Sequence, residues 1–278
     1  MPKIYSHSKL STFEQCPLKY KYRYIDQIKP EIEKTIESHL GTCVHDTLEW
    51  LYTQSQKNTP TIDNLIKYYA EKWKEKYSPK IAIVRQEFTE KDYFNKGINF
   101  LIGYYTKHHP FKDGTFELEK KIVIRLGEHK IQGFIDRLSL NPLTKEYEIH
   151  DYKTANFLPS QKKADEDRQL ALYSIAIKEI FGQEKKVKLI WHYLAHNTEL
   201  TSQRTNLQLK LLKQQVHELI KKIESTTYFP TNKSILCNWC EYKEICPEFK
   251  CENLNNYSKK EKQKNLNEYS SINKYLKD

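Results

Sequence analysis

The sequence lacks a hydrophobic stretch long enough to span a bilayer, and its first residues, MPKIYSHSKL, include no apolar segment of the kind found in signal peptides. These absences argue against a membrane protein and against secretion. We therefore expect a cytoplasmic protein in a reducing compartment, with no membrane partner. In that compartment, the six cysteines are better explained by metal ligation than by disulfides.

Internal repeats and Gly/Ser-rich linkers are also absent, so the sequence gives little support to a division into several domains. A chain of 278 residues is long enough to bury a sizeable core. We predict a single catalytic domain over residues 1–251, with a helical N-terminal part and a cysteine-rich C-terminal segment. Residues 252–278 are rich in Asn and Lys and are predicted to form a weakly packed polar tail.

The charge is unbalanced towards the basic side. Lys and Arg number 46 against 36 Asp and Glu, which gives a formal net charge of +10. A basic surface attracts polyanions in a salt-dependent way, and nucleic acid is the expected partner of this kind. A solvated lysine-rich face is the alternative explanation.

Hydrophobic periodicity changes along the chain in a way that predicts an α/β fold. Helical patterns cover Cys43–Leu51, Ile62–Tyr77, Lys91–His108, Arg168–Phe181 and Gln208–Ser225. Strand patterns cover Phe116–Arg125, Lys130–Leu140, Tyr147–Thr154 and Val187–Leu194. The first three strands are separated by the turn signals Gly127-Glu128 and Asn141-Pro142, so they are predicted to form an antiparallel meander. The element order predicts a central mixed sheet flanked by helices.

Four cysteines occur near the two ends of the chain in a pattern typical of metal ligands. Cys16 precedes a proline, Cys237 and Cys240 form a C-x2-C pair, and Cys246 also precedes a proline. A cysteine followed by proline commonly ends an iron-sulfur ligand run, which favours a 4Fe-4S cluster that joins the N- and C-terminal segments. A tetrahedral zinc site and ordinary buried cysteines are the alternatives. Cys251 could replace Cys16 in a purely local site.

Two carboxylates and a lysine are predicted to converge on the meander. Period-two geometry places Asp151 and Lys153 on the same face of one strand, and pairing across the Asn141–Lys145 turn brings Asp136 towards them. Oxygen ligands of this kind suit hard divalent cations such as Mg²⁺. An ion pair on a solvated sheet edge is the simpler alternative for either motif alone.

Taken together, these motifs resemble those of the PD-(D/E)xK nucleases of the RecB-like branch. The resemblance is to their iron-sulfur form, found in CRISPR-associated RecB-like exonucleases and AddB-type nuclease subunits. Five segments match the family's motifs in order: Ser8–Tyr20, Gly41–His45, Gly133–Arg137, Asp151–Thr154 and Gln169–Tyr173. The chain departs from the superfamily name in one respect, because Ile135 and not proline precedes Asp136.

The resemblance implies a restriction-endonuclease-like core and a role for each matched residue. Asp136 and Asp151 would bind Mg²⁺ or Mn²⁺, His45 would add a nitrogen ligand, and Tyr152 would contribute its backbone carbonyl. Lys153 would orient the nucleophilic water and stabilise developing charge. A core histidine hydrogen-bonded to a carbonyl is the alternative for His45.

Further residues would act around this centre. Gln169 and Tyr173 share a helix face, and the resemblance makes them positioning groups beside the scissile phosphate; core packing is the alternative for Tyr173. Arg137 and Arg168 are candidates for phosphate contacts. Glu119, on the preceding strand, is a candidate for a supporting carboxylate.

Three classes of function remain open from the sequence. The first is a metal-dependent DNA nuclease, acting as an exonuclease on single strands or ends, in DNA repair and recombination or in CRISPR spacer processing. The others are a non-cleaving DNA-end-binding module and a structural iron-sulfur protein. No phosphate-binding loop of a helicase is present, so unwinding would require a partner helicase; a CRISPR integrase-type protein is the alternative partner.

Overall fold

The computed structural model describes residues 3–249, and its centre is a six-stranded mixed β-sheet. The strands are β1 (Ile4–Tyr5), β4 (Thr115–Leu126), β5 (His129–Leu140), β6 (Tyr147–Lys153), β7 (Val187–Tyr193) and β8 (Thr198–Gln203). Their order is β1-β5-β6-β7-β8, with β4 paired to β5. Two further short strands, β2 (Lys34–Thr35) and β3 (Ile81–Ala82), pair in parallel. The predicted tail and Cys251 lie outside the described residues, so the domain boundary stays a prediction.

Eight α-helices surround these strands in the described part of the chain. They are α1 (His7–Gln15), α2 (Pro17–Tyr20), α3 (Ile36–Ser55), α4 (Ile62–Lys76), α5 (Glu90–His108), α6 (Gln161–Asp165), α7 (Arg168–Phe181) and α8 (Asn206–Ser225). A π-helical turn follows α2 at Lys21–Ile25, and 3₁₀ turns occur at Leu194–His196, Ile235–Trp239 and Lys243–Ile245. No described helix combines the length and apolar character that crossing a membrane requires.

The predicted antiparallel meander is confirmed. β4 and β5 pair antiparallel from Leu126–His129 outwards, across the predicted Gly127-Glu128 turn. β5 and β6 also pair antiparallel, whereas β6 and β7 run parallel. A parallel pair needs a crossover connection, and α7 supplies it as the predicted helix between the two strands. The prediction of a mixed sheet flanked by helices is therefore correct.

Local signals account for the helix that crosses over the sheet. The Asp167 side chain accepts a hydrogen bond from the Leu170 backbone N–H at the start of α7. The helix ends at Gly182, whose φ of 122° is accessible mainly to glycine. Both ends of α7 agree with the sequence prediction. By contrast, α3 is longer than the predicted Cys43–Leu51, and the polar edge strand β8 was not predicted.

Two hydrophobic clusters lie on opposite faces of the sheet. β6 contributes Ile149 to one cluster and Tyr152 to the other, and an odd separation along a strand places side chains on opposite faces. The Ile149 cluster is covered by α1, α7 and α8, and the Tyr152 cluster by α3, α4 and α5. This arrangement packs α3 near β4 and β5, where the predicted acidic residues lie.

Candidate active site

The structure brings the two predicted aspartates together on neighbouring strands. Asp136 lies on β5, one residue before the Arg137–His150 pair that joins β5 to β6. Asp151 lies on β6, and the next residue, Tyr152, donates its backbone N–H to Asp136 Oδ2 at 2.9 Å. The hydrogen bond fixes one carboxylate oxygen of Asp136 against the neighbouring strand.

His45 reaches the same carboxylate from the helix α3. Its Nδ1 lies 3.3 Å from Asp136 Oδ2, and its Nε2 lies 2.8 Å from the carbonyl oxygen of Tyr152. A carbonyl can only accept, so Nε2 carries the proton and donates it. Burial lowers the pKa of His45, but the Asp136 carboxylate raises it to about 9, so Nδ1 carries a second proton at neutral pH and forms an ion pair with Asp136. The Tyr152 carbonyl, predicted to bind metal, is engaged here by His45, and its ligand role stays a prediction.

Glu119 adds a carboxylate beside Asp136 and His45. The sequence predicts it only as a supporting carboxylate, not as a ligand. In the β4–β5 register, it falls between the pairs Leu118–Arg137 and Lys120–Ile135, which places it across from Asp136. Its backbone has a φ of 46°, so the strand is locally irregular at this residue. Ligand atoms of Glu119, His45 and Asp136 all lie within 4.8 Å of one another. One ion could therefore contact all three side chains.

The electrostatics of the site show that it concentrates negative charge. Burial, together with the charge of Asp136, raises the pKa of Glu119 to about 7 and that of Asp151 to about 6. Burial also disfavours the charged form of Asp136, but His45, the Tyr152 amide and Lys153 together lower the pKa of that carboxyl. A cation bound between Glu119 and Asp136 would favour the ionised forms of these carboxylates.

The donor set fits a divalent metal. Glu119 and Asp136 offer oxygen atoms, which Mg²⁺ prefers, and His45 adds the nitrogen that suits Mn²⁺ as well. Asp151, predicted as a ligand, lies outside this close group and has its Oδ2 2.6 Å from Lys153 Nζ, so its ligand role stays a prediction. A bound cation would replace the proton that His45 Nδ1 shares with Asp136, because a histidine must lose that proton to bind a metal.

Lys153 begins a chain of polar contacts that ends on α7. Its Nζ lies 2.6 Å from Asp151 Oδ2 and donates to Gln169 Oε1 at 3.2 Å. Gln169 Nε2 in turn donates to the hydroxyl of Tyr173 at 3.4 Å. The Asp151 charge outweighs burial and raises the pKa of Lys153, which keeps the ammonium charged. Lys153 and the two side chains predicted to position the phosphate, Gln169 and Tyr173, thus form one connected group.

Gly133 allows this group to approach the sheet. A Cβ at this position would lie 2.4 Å from the Tyr173 ring, so any larger residue requires the ring to move. Close packing against Tyr173 therefore explains why glycine occupies position 133 of the motif in this chain. It leaves space for the side chain that ends the polar contacts of Lys153.

Replacing Gly133 by alanine is expected to displace Tyr173 and destabilise the protein by about 1–3 kcal/mol, the usual cost of overpacking. Gly103→Ala is the matched control, because the nearest atom to a Cβ there is 3.6 Å away. Urea unfolding of both variants measures the difference. Equal free energies of unfolding for the two variants would show that Tyr173 relaxes without cost.

Both arginines predicted to contact phosphate are engaged elsewhere. Arg137 is 1% exposed and bonds to Asp113, His150 and the Tyr152 hydroxyl, so its prediction as a phosphate contact is wrong. Strand alternation explains the error: Arg137 follows Asp136 and points to the opposite face of the sheet. Arg168 is paired with Glu14 on α1.

The four predicted cysteine ligands line one cavity. Cys16, Cys237, Cys240 and Cys246 surround a volume of about 60 Å³ between the N- and C-terminal segments. Within residues 3–249, no three of these sulfurs lie within 4.8 Å of one another. The fold therefore brings the cysteines to the same place but does not pack their sulfurs closely. Cys43 is fully buried in the Tyr152 cluster, as expected of a small apolar residue.

Comparison with known proteins identifies the family. The model of the PD-(D/E)XK nuclease superfamily matches residues 4–247, and the chain belongs to that superfamily. A candidate exonuclease from Eubacterium rectale has a similar fold, with a TM-score of 0.51, 11% identity and coverage of 85% of this chain and 87% of that chain. SSO0001 is also similar, with a TM-score of 0.40, 14% identity and coverage of 89% and 87% respectively. None of the curated proteins compared with the chain matches it.

Proposed function

We propose that this nuclease is a metal-dependent enzyme of the RecB-like branch that hydrolyses DNA at single strands or ends. The observation that carries the proposal is the convergence of His45, Glu119 and Asp136 beside the Asp151–Lys153 pair. Membership of the superfamily supports hydrolysis of a phosphodiester, and the net charge of +10 supports a polyanionic substrate.

The side chains divide the work of phosphodiester hydrolysis. Asp136 and Asp151, with His45 and Glu119, would hold Mg²⁺ or Mn²⁺, which when bound offsets phosphate charge and acidifies water. Lys153 presents a positive charge that is held in place by Asp151 and Gln169, so it can orient the attacking water and stabilise charge in the transition state.

The α7 residues would position the substrate. The amide of Gln169 and the hydroxyl of Tyr173 are neutral groups next to the Lys153 ammonium, and they can bond to phosphate oxygens without adding charge. The proposed partner is a helicase in DNA repair or a CRISPR integrase-type protein in spacer processing. The proposed location is the cytoplasm. The family resemblance supports the partners, and the interpretation of the cysteines as metal ligands in a reducing compartment supports the location.

Digestion of end-labelled DNA tests the proposal. Single-stranded and blunt duplex substrates are incubated with Mg²⁺ or Mn²⁺, with a chelator as the control. We expect progressive loss from the ends of single strands, and no cleavage in chelator. Binding without cleavage under every metal condition would contradict the proposal and identify a DNA-binding module.

We also propose that the four cysteines lining the cavity hold a 4Fe-4S cluster. Tetrahedral zinc has Zn–S bonds of about 2.3 Å and so places its sulfurs only about 3.8 Å apart. An iron-sulfur cube is larger, and each cysteine binds a different iron at its corners. The shared cavity of the four cysteines and their C-x2-C and Cys-Pro pattern support the iron-sulfur group. Such a cluster would fasten the α1–α2 junction to the C-terminal 3₁₀ turns.

Replacing Cys16 by serine is expected to remove the brown colour of anaerobically purified protein and to lower its thermal stability, because a ligand from the N-terminal segment is lost. Cys43→Ser is the matched control: Cys43 is buried away from the cavity, so it should keep full iron content. Iron and sulfide analysis with visible absorption measures the cluster. Full iron in Cys16→Ser together with its loss in Cys251→Ser would contradict the proposal that Cys16 is a ligand.

A further inference from the structure

A second group of potential metal ligands lies outside the candidate active site. It consists of His108 at the end of α5, His192 on β7 and Glu199 on β8, and one ligand atom from each lies within 4.8 Å of the others. His192 Nδ1 is buried and makes no hydrogen bond within the described residues, and the buried Glu199 Oε1 has the Lys107 ammonium at 2.9 Å as its charged partner. Buried polar atoms without partners are rare and require an explanation.

The hydrogen bonds around His150 determine which nitrogen of His192 carries a proton. Arg137 Nη2 can only donate, and it lies 2.8 Å from His150 Nδ1, so that nitrogen is an acceptor. The other nitrogen of His150 contacts Ser139 Oγ at 2.9 Å and can donate to it. His192 Nε2 lies 2.9 Å from the same acceptor, His150 Nδ1, and must therefore be the donor.

As a consequence, the lone pair of His192 Nδ1 faces a carboxylate. The neutral ring of His192 carries its proton on Nε2. Its Nδ1 is 3.6 Å from Glu199 Oε1, which is too far for a hydrogen bond. Two acceptors thus face each other with no proton between them.

The separations match those of ligands around one small ion. His108 Nε2 lies 3.3 Å from Glu199 Oε1, and His192 Nδ1 lies 3.6 Å from it. Zinc binds imidazole nitrogen and carboxylate oxygen at about 2.0–2.2 Å, so tetrahedral ligands lie about 3.4 Å apart. The outer nitrogen of His192 donates to His150, as the second nitrogen of metal-bound histidines commonly does.

Lys107 is the alternative partner for Glu199. Its Nζ lies 2.9 Å from Glu199 Oε1, and the side chain is 39% exposed. An exposed lysine can turn into solvent at little cost, because surface ion pairs contribute only about 0–1 kcal/mol. The ammonium also leaves the Nδ1 lone pair of His192 without a hydrogen-bond partner. A metal ion would satisfy that lone pair, which Lys107 does not.

We propose that His108 Nε2, His192 Nδ1 and Glu199 Oε1 form a second metal site, which takes a divalent ion of the zinc class. The ion would join the end of α5 to the β7–β8 edge of the sheet. His108 and Glu199 are partly exposed, so a water molecule or a ligand from solution can complete the coordination.

Titration of the full chain with Co²⁺ and Zn²⁺ tests this site. All proteins carry Asp136→Asn to weaken binding at the candidate active site. Co²⁺ bound by nitrogen and oxygen gives weak visible bands, whereas thiolate-bound Co²⁺ adds an intense near-ultraviolet band that identifies the cysteines. We expect visible bands that saturate with one ion, and a rise in Tm on adding Zn²⁺.

The variants distinguish a metal site from an ion pair. His108→Ala and the isosteric Glu199→Gln should each weaken Co²⁺ binding by at least about tenfold. Lys107→Ala should tighten it, because the competing cation is removed. The matched control His109→Ala, next in sequence but with its ring against Tyr105 and Phe111, should bind Co²⁺ like the parent. Equal Co²⁺ binding by Glu199→Gln and the parent, or no binding by Lys107→Ala, would overturn the proposal.

Discussion

Replacing Asp136 by asparagine is expected to abolish detectable DNA cleavage while the protein stays folded and still binds DNA. The Asp136 carboxylate is the point at which the site converges, because the same oxygen contacts His45 Nδ1 at 3.3 Å and the Tyr152 amide at 2.9 Å. Asparagine preserves the size of the side chain but removes the charge that would bind the metal. Loss of a metal ligand removes the stabilisation of transition-state charge that the ion provides.

The measurement uses end-labelled single-stranded DNA with Mg²⁺ or Mn²⁺, together with a mobility-shift assay in chelator. Asp63→Asn is a suitable control, since Asp63 is an exposed carboxylate in the first turn of α4 and should cut at the parent rate. Binding of both variants should weaken steeply as salt is added. Cleavage by Asp136→Asn at the parent rate would require a different active site.

The position of Glu119 shows how far the sequence could predict this site. The two-residue turn Gly127-Glu128 sets the pairing of β4 with β5, and continuing that register places Glu119 across from Asp136. The turn signal is therefore sufficient to predict that Glu119 lies across from Asp136, provided that the β4–β5 pairing continues without a register shift between the turn and Glu119. The positive φ of Glu119 marks a local irregularity that no sequence pattern indicated.

Other features depend on contacts between distant segments and could not be predicted. His108, His192 and Glu199 lie on three separate elements, and β8 itself carries too few apolar residues to be recognised as a strand. Arg137, predicted as a candidate for phosphate contacts, forms part of the buried network on the opposite face of the sheet. Local sequence patterns predict the helices and strands, whereas the roles of these four side chains depend on contacts between segments that are distant in the sequence.

The separate function of Lys153 follows from the contacts that hold it. Lys153 bonds to Asp151 and Gln169 and makes no hydrogen bond or ion pair with Asp136 or His45. Its removal should leave most of the metal ligands in place. We expect Lys153→Ala to bind DNA nearly as well as the parent but to cut it at least about a hundredfold more slowly, which is the usual effect of losing one transition-state donor.

Single-turnover cleavage and mobility-shift assays on the same preparations separate these effects. Lys185→Ala controls for the loss of one positive charge, because Lys185 is a half-exposed lysine paired with Glu184 in the turn that follows the C-terminal end of α7. Gln169→Ala should have a smaller effect than Lys153→Ala, since Gln169 orients the ammonium but carries no charge. If Lys153→Ala lost DNA binding in proportion to cleavage, the lysine would act in substrate binding and not in the transition state. Cleavage by Lys153→Ala at the parent rate would remove it from the active site, because the Asp151–Lys153 pair would then be only a structural ion pair.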